Sequence, residues 1–589
     1  MSTAILTGPP VPGSSLEGDL RSLGFDVRSA ADAAETVQLL DAVPAGERVA
    51  LVDPRFVGHQ HALRLGLTDP RFPAAAVPGA LTAQPEVRAA LGRALRTAPL
   101  TVPDAVAAAL DAEGVSVQRP ELGSLVAVIP ADQTSRAEAG RAVAAVDEEA
   151  VRLRTAVKSR DGFFTTYCIS PYSRYLARWC ARRGLTPNQV TTASLITALI
   201  AAGCAATGTR GGYIAAGVLL LLSFVLDCTD GQLARYSLQY STMGAWLDAT
   251  FDRAKEYAYY AGLALGAIRG GDDVWALALG AMVLQTCRHV VDFSFNEANH
   301  DATGNTSPAA ALSGKLDSVG WTVWVRRMIV LPIGERWAMI AVLTALTTPR
   351  IVFYALLVGC AFAACYTTAG RVLRSLTRRA TRTDRAARAL ADLADSGPLA
   401  ESVAKGAAAR PGGGFLAPVL AFAGGAILLV DAFLNGGTWT FVGAAVVYAF
   451  FSGLAVRAPL KGALDWLVPP IFRIAEYCTV LILAVEADVA GALPAAFGLL
   501  AAVAYHHYDT VYRIKGGTGA PPSWLVRAVG GHEGRTLLVA VLAALSTTID
   551  FPLALTVLAV AVALVVLAES IRFWVSSGAP AVHDEGETA

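Results

Sequence analysis

The chain has 589 residues, of which 54% are hydrophobic and only 16% charged, whereas an ordinary soluble domain carries about 25% charged residues. This composition, with a mean hydropathy of +0.47, excludes a soluble globular protein, a disordered chain and a coiled coil. The 48 basic and 48 acidic residues cancel. The chain therefore lacks the basic excess that marks nucleic-acid binding, and we expect no nucleic-acid partner.

The cysteines and the N-terminus agree with a membrane protein whose N-terminus lies in the cytoplasm. The eight cysteines form no C-x-x-C pair, and most of them lie in apolar stretches. We interpret them as small residues of a membrane core rather than as a disulfide framework or a zinc site. The start of the chain lacks a basic segment followed by an apolar one, so the sequence predicts no signal peptide and a cytoplasmic N-terminus.

Residues 1–140 alternate short apolar runs with segments rich in Ala, Leu and Glu, which predicts a small cytoplasmic α/β domain. The loop of residues 8–15 follows the first apolar run, where a phosphate-binding loop would lie. It contains no lysine and three prolines, which lack a backbone donor, so we favour a plain connecting loop. Residues 141–186 are amphipathic and rich in arginine, which is typical of a helix at the membrane surface.

Twelve apolar segments follow in two sets of six, separated by an Arg-rich linker at 376–413 and followed by a cytoplasmic tail at 577–589. The first set, at 187–375, has its segments at about 188–208, 212–233, 244–268, 273–295, 335–349 and 351–373. The second set, at 414–576, has them at about 415–433, 438–456, 468–485, 490–507, 536–549 and 553–575. Basic residues fall in alternate loops, so the positive-inside rule predicts that both termini are cytoplasmic.

The two sets resemble each other, which predicts an internal repeat. Trp246-Leu247 precedes Arg253, Glu256 and Tyr257 at the same spacing at which Trp466-Leu467 precedes Arg473, Glu476 and Tyr477. Arg336 and Arg535 each precede an Ala-Val-Leu triplet by five residues. Six spans in each copy make this a parallel repeat.

Four aspartates carry the strongest chemical signal. Asp227 and Asp230 are three residues apart near the end of the second span, and Asp248 and Asp252 are four apart in the third. Both spacings place the carboxylates on one helix face. Four acids at one level repel each other unless cations lie among them, and oxygen ligands without His or Cys favour Mg²⁺, Mn²⁺ or Ca²⁺. Arg235 is a bidentate donor suited to phosphate.

The pattern D-x2-D-G-x2-A-R-x8-G-x3-D-x3-D, read from Asp227 to Asp252, resembles the signature of the CDP-alcohol phosphotransferase family. The similarity covers about 160–375 and includes Thr186-Pro187-Asn188-Gln189-Val190-Thr191. It implies a six-helix membrane core that moves a substituted phosphate from a CDP-alcohol to an acceptor alcohol and releases CMP.

The same resemblance implies the roles of the site residues. It makes Asp227, Asp230 and Asp248 ligands of a centre with two Mg²⁺ or Mn²⁺ ions. Asp252 is either a further ligand or a neighbour of the ions, and it is the base for the acceptor hydroxyl. The residues that it places at the cytidine and ribose are Asn188, Thr191, Gly231 and Ala234, and we expect Arg235 and the motif's Gly244 to bind substrate as well. It leaves open whether the donor is CDP-diacylglycerol or a soluble CDP-polyol.

The acceptor side has two interpretations. Four arginines predicted on the cytoplasmic side form either a pocket for a phosphorylated polyol such as inositol phosphate, or contacts with lipid headgroups; they are Arg288, Arg326, Arg327 and Arg336. The segment Lys158-Ser159-Arg160-Asp161-Gly162-Phe163 is similar to the juxtamembrane region of di-inositol-phosphate-phosphate synthases. In some of those enzymes a cytidylyltransferase domain precedes the membrane domain. Here the N-terminal domain lacks that enzyme's Gly-rich loop, so we expect a degenerate remnant or a docking module.

The second set lacks the acids, because Val468 and Phe472 stand at the positions that match Asp248 and Asp252. We therefore expect no metal catalysis there. Since family members are commonly homodimers, the second set is interpreted as a covalently attached pseudo-protomer, with a true homodimer as the alternative. An alternative metal site in this half would use His506, His507, Asp509, His532 and Glu533.

The sequence thus predicts a mainly α-helical polytopic membrane enzyme with a degenerate second repeat and a small N-terminal α/β domain. Its reaction would belong to phospholipid or inositol-phosphate-type biosynthesis, with membrane lipids as its surroundings. Two rivals remain at this point. A divalent-cation transporter would suit twelve spans, but its sites would lie at a midplane shared by both repeats. A non-catalytic membrane scaffold would not need the intact acidic motif.

Overall fold

A computed structural model of the chain describes residues 2–44, 46–69, 72–97, 102–158, 161–300, 329–377, 380–407 and 415–576. The predicted acceptor residues Arg326 and Arg327 lie outside the described residues.

The N-terminal region is an α/β unit, as predicted. Its six-stranded sheet has the order β2-β1-β3-β6-β5-β7, in which β1 runs parallel to β2 and β3 while β6 is antiparallel to both of its neighbours. The strands are β1 (Ser2–Leu6), β2 (Phe25–Ser29), β3 (Arg48–Val52), β4 (Val57–Gly58), β5 (Ala74–Val77), β6 (Ala80–Ala83), β7 (Val117–Gln118) and β8 (Ala127–Val128). The helices are α1 (Leu16–Ser22), α2 (Ala33–Ala42), α3 (Gln60–Leu67), α4 (Arg88–Thr97) and α5 (Pro103–Ala112).

Three helices lead from this unit to the membrane region: α6 (Gln133–Ala144), α7 (Glu148–Thr155) and α8 (Ser170–Arg182). The carboxylate of Glu149 on α7 accepts a hydrogen bond from the Tyr236 hydroxyl (3.1 Å). It also forms an ion pair with Arg178 on α8 (3.5 Å). Arg64 of the α/β unit also donates to the carbonyl of Ser237. The α/β unit is therefore fixed to the end of a membrane helix rather than joined only by a linker.

Each of the twelve predicted apolar segments is a helix. The first set comprises α9 (Pro187–Ala206), α10 (Arg210–Ser237), α11 (Thr242–Arg269), α12 (Trp275–Asn299), α13 (Ile333–Leu346) and α14 (Pro349–Thr377). Two linker helices follow, α15 (Asp384–Ala394) and α16 (Pro398–Gly406). The second set comprises α17 (Leu416–Asn435), α18 (Trp439–Val456), α19 (Val468–Glu486), α20 (Ala492–Lys515), α22 (Gly531–Ala544) and α23 (Phe551–Ser576), with the short α21 (Ser523–Ala528) between α20 and α22.

Seven helices in the described part of the chain are long and apolar enough to cross a membrane by length and composition. They are α9, α10, α14, α17, α18, the stretch of residues 465–486 that contains α19, and α23. The chain is an integral membrane protein. The other five predicted spans, α11, α12, α13, α20 and α22, are helices that are shorter or more polar.

The two sets of helices share one hydrophobic core, because α12 packs against α19 and α20 while α11 packs against α20 and α23. Aromatic rings join them: Phe497 on α20 meets Tyr257 and Trp275 edge to face, with ring centroids 6.5 and 5.6 Å apart. Trp246 stacks on Trp574 at 6.4 Å. The second set is thus part of the same folded body as the first.

A buried ion-pair network recurs in both sets. In the first, Arg253 donates to Glu256 (2.8 Å), which also pairs with Arg336 (3.4 Å). In the second, Arg473 donates to Glu476 (3.0 Å), which accepts from Arg535 (2.6 Å). These are the residues that the sequence comparison aligned, so the networks agree with the predicted repeat.

The second network contains one more acid, Asp395, which follows α15 and pairs with Arg473 (3.0 Å) and Arg535 (2.7 Å). Burial alone would raise the pKa of Asp395, but the two guanidinium groups hold it well below its ordinary value. The linker is therefore locked onto the second set by an ionised carboxylate.

Candidate metal and substrate site

The helix boundaries place the four aspartates at one end of the first set. Leu238 ends α10 with a left-handed backbone (φ 51°), and the Ser241 hydroxyl oxygen caps α11 by accepting from the Gly244 N–H (2.9 Å). A four-residue turn therefore joins the acidic end of α10 to the acidic start of α11.

Helix α9 packs against both α10 and α11 and forms the third wall of the site. Thr186 caps α9 by a reciprocal capping box with Gln189, and Pro187 occupies the first turn, where its missing N–H costs nothing. The Thr-Pro-Asn-Gln sequence thus fixes where α9 begins. It places the first turns of α9 at the level of the aspartates.

Three carboxylates converge. Asp227, Asp230 and Asp248 each offer one oxygen, and these oxygens lie within 4.8 Å of one another. Asp230 is 4% exposed and the other two are partly buried. So many half-buried acids repel each other unless a cation neutralises them, and a set made only of hard oxygens suits Mg²⁺ or Mn²⁺. The residues present therefore fit a divalent ion.

The fourth aspartate is engaged by a residue that the sequence analysis missed. The ammonium of Lys255 contacts Asp227 and the Asp252 carboxylate (2.8 Å), and it donates to the Ser194 hydroxyl (3.3 Å). Lys255 is 1% exposed. The sequence signal that could have revealed Lys255 is its spacing, because Asp248, Asp252 and Lys255 stand at i, i+4 and i+7 and so share one helix face.

The predicted nucleotide-side residues of α9 also lie at the aspartates. The Thr191 hydroxyl donates to Asp230 at 2.6 Å. A Cβ added at Gly244 would lie 2.7 Å from the Asn188 Oδ1, so the absence of a side chain at 244 is what leaves room for Asn188. The structure therefore brings Asn188, Thr191 and Gly244 together with the acidic motif.

The rest of the motif faces the juxtamembrane segment. The Arg235 Nε donates to the carbonyl of Ala156 (2.6 Å), just after α7, and its guanidinium lies over Gly231. Ala234 is buried at 3% exposure. Arg235 is thus held at the edge of the site by the segment that leads from the α/β unit.

The two described acceptor-side arginines are buried. Arg336, 4% exposed, is paired with Glu256 in the buried network, and Arg288, 7% exposed, donates to the carbonyl of Val330.

The alternative histidine site of the second set is used for structural contacts. The His506 Nε2 is 3.1 Å from Asp395, and the His532 Nδ1 is 2.8 Å from the Tyr448 hydroxyl. Glu533 accepts from the N–H groups of Gly397 and Ala400 at the start of α16. Among the described residues, the aspartate triad is the one group that has ligand spacing for a metal. Val468 and Phe472, which replace two of the aspartates, are fully buried.

Comparison with known proteins matches the two sets of helices to two families. Residues 184–365 match the model of the CDP-alcohol phosphatidyltransferase family. Residues 384–589 match a family described as one of unknown function.

Similar curated proteins cover the first set. The phosphatidylinositol phosphate synthase of Streptomyces avermitilis is 33% identical over 130 residues, which are 21% of this chain and 51% of that protein. The archaetidylinositol phosphate synthase of Pyrococcus horikoshii is 30% identical over 113 residues, 19% of this chain and 58% of that protein. The bifunctional IPC transferase and DIPP synthase of Rubrobacter xylanophilus is 43% identical over 84 residues, 14% and 18% of the two chains. The chain thus spans between half and three fifths of the length of the first two relatives.

Proposed function

We propose that this chain, whose residues 184–365 belong to the CDP-alcohol phosphatidyltransferase family, transfers a substituted phosphate from a CDP-alcohol to an acceptor alcohol and releases CMP. The observation that carries the proposal is the convergence of Asp227, Asp230 and Asp248 beside Asp252, at the level of Thr191 and Asn188. The family supplies the donor, because carboxylates alone do not specify cytidine.

The chemistry requires charge neutralisation and removal of a proton. A divalent ion at the aspartates would neutralise the diphosphate of the donor. The acceptor oxygen attacks the phosphorus that bears the donor's alcohol, the bond from that phosphorus to the CMP phosphate oxygen breaks, and the acceptor proton passes to a base. We assign the base to Asp252, which lies one helical turn after Asp248.

We further propose an inositol phosphate or a related phosphorylated polyol as acceptor. Support comes from the printed names of the relatives, which include phosphatidylinositol phosphate and archaetidylinositol phosphate synthases. In this proposal Arg288 contributes positive charge near the acceptor's phosphate, and Arg336 acts only through Glu256.

The orientation that we propose puts both termini and the aspartates on the cytoplasmic side. The support is the distribution of basic residues, with Arg178, Arg182 and Arg183 just before α9 and the arginines of the linker after α14. The second set then serves as a pseudo-protomer, and its shared core with the first set supports this role.

The test is CMP release by the purified full-length protein in nanodiscs with Mg²⁺. The assay pairs CDP-diacylglycerol or a CDP-polyol with inositol phosphate and other alcohols, with mass spectrometry of the products. We expect Asp248→Asn to lower the rate by about 100-fold or more, because it removes one ligand charge from the triad. Asp488→Asn is the matched control, since Asp488 is an exposed turn residue, and its rate should equal that of the wild type.

Two results would refute the proposal. One is the absence of CMP release with every donor while the protein carries Mn²⁺ across the bilayer, which would favour a transporter. The other is an Asp248→Asn protein that is as active as the wild type.

A further inference from the structure

Lys255 occupies a position that a membrane lysine does not normally take. Lysine side chains near helix ends extend toward water, because burying an ammonium in an apolar region costs several kcal/mol unless it is paired. Lys255 is instead 1% exposed and directed into the acidic site.

Four helices hold the ammonium in place. Asp227 comes from α10 and Asp252 from α11, while Ser194 comes from α9. The ring of Trp337 on α13 lies 5.8 Å from the Nζ. An ammonium has three N–H donors, and three acceptors meet it here, so the group has no further donor for a substrate phosphate.

The lysine divides the four aspartates into two groups. Asp227, Asp230 and Asp248 form the triad with ligand spacing, and Asp252 lies outside it, paired with Lys255. Asp227 belongs to both groups, since a carboxylate has two oxygens and can face an ion with one and the lysine with the other. A second divalent ion held by Asp227 and Asp252 would lie where the ammonium now lies.

We propose that Lys255 is a tethered cation that replaces a second metal ion, so that the centre takes a single divalent ion at Asp227, Asp230 and Asp248. Lys255 acts as a positioning residue: it fixes Asp252 beside the ion and neutralises part of the charge of the site without leaving the protein. This inference rests on the proposed function only in that the ion serves the transfer reaction. It departs from the two-ion centre that the sequence resemblance implies.

The test counts bound Mn²⁺ per chain in the metal-stripped full-length protein in nanodiscs, by elemental analysis and by electron paramagnetic resonance. The wild type should bind one Mn²⁺ with the spectrum of an isolated ion. Lys255→Met, which keeps the apolar stem but removes the charge, should bind two ions whose spectrum shows magnetic coupling. Lys255→Arg should restore one ion, because the charge is restored.

The outcomes separate this inference from the proposed function, because CMP release is measured on the same samples. A wild type that releases CMP but binds two coupled ions overturns the role of Lys255 and leaves the function standing. A wild type that binds one ion but releases no CMP refutes the function alone. If Lys255→Met does not fold, the wild-type and Lys255→Arg counts decide: one ion supports the proposal and two overturn it.

Discussion

The hydrogen bond from Thr191 to Asp230 is the contact through which α9 reaches the acidic motif. Both groups are buried, at 3% and 4% exposure, and the oxygens are 2.6 Å apart. A hydrogen bond to a buried carboxylate contributes about 1.5–3 kcal/mol. The hydroxyl therefore holds the Asp230 carboxylate in the orientation in which it joins the triad.

Replacing Thr191 by valine, which keeps the shape but removes the hydroxyl, should weaken Mn²⁺ binding by roughly 10- to 100-fold, following that hydrogen-bond energy. The measurement is a Mn²⁺ titration of the full-length protein. Thr191→Ser keeps the donor and should bind like the wild type. Equal affinity in Thr191→Val and wild type would show that the hydroxyl does not orient the ligand.

At the residue scale, the sequence predicts the acids but not their partner. The aspartates are recognisable because their spacing places them on one face and their charge is out of place in an apolar segment. Lys255 carries no such mark, since a lysine one turn after an acid is usually an exposed helical ion pair. Only the packing of α9, α10 and α13 around it turns that position into a buried one.

At the scale of single elements, the contact between α9 and α11 sets how closely the third wall of the site approaches the motif. A Cβ added at Gly262 would lie 3.0 Å from the Ala202 Cα and would collide with the Ala202 carbonyl oxygen. The two backbones therefore touch at this glycine. Any side chain there would push α9 away from α11.

Gly262→Ala should destabilise the protein by about 1–3 kcal/mol, the usual cost of overpacking, and should lower CMP release because Thr191 moves away from Asp230. Thermal unfolding in detergent and the CMP assay measure the two effects. Gly203→Ala is the matched control on α9, since its added Cβ meets nothing within 4 Å. Unchanged unfolding temperatures in both variants would contradict the close packing.

All twelve apolar segments could be predicted as helices from their apolar residues, although only seven of them also have the length and hydrophobicity that a helix crossing a membrane requires. Their mutual arrangement could not. The structure packs α9 against both α10 and α11, an arrangement that no feature of the sequence indicated. Apolar faces in a membrane are nearly interchangeable, so the pattern alone does not say which helix lies next to which.

At the scale of the whole molecule, the two sets of helices depend on each other through the aromatic contacts between α11, α12 and α20. Phe497 is 6% exposed and touches rings from both of the first-set helices. The first set alone would therefore expose these rings to lipid or water.

Phe497→Ala should cost about 3–5 kcal/mol, the range for a buried phenylalanine, and should lower both the unfolding temperature and the CMP release rate. Phe433→Ala, which truncates a phenylalanine that is 64% exposed, should change neither. Loss of stability without loss of CMP release would show that the second set supports the fold but not the reaction.

The buried Arg-Glu-Arg network helps to distinguish the charged residues that the fold requires from those that the reaction requires. Both halves retain the three charged residues, while only one retains the carboxylates. The second set therefore offers a comparison inside the same polypeptide, because it carries the matching arginines and glutamate without the aspartates of the metal site. A position at which the two sets differ is a candidate requirement of the chemistry, and the shared charged residues are candidates for a role in folding.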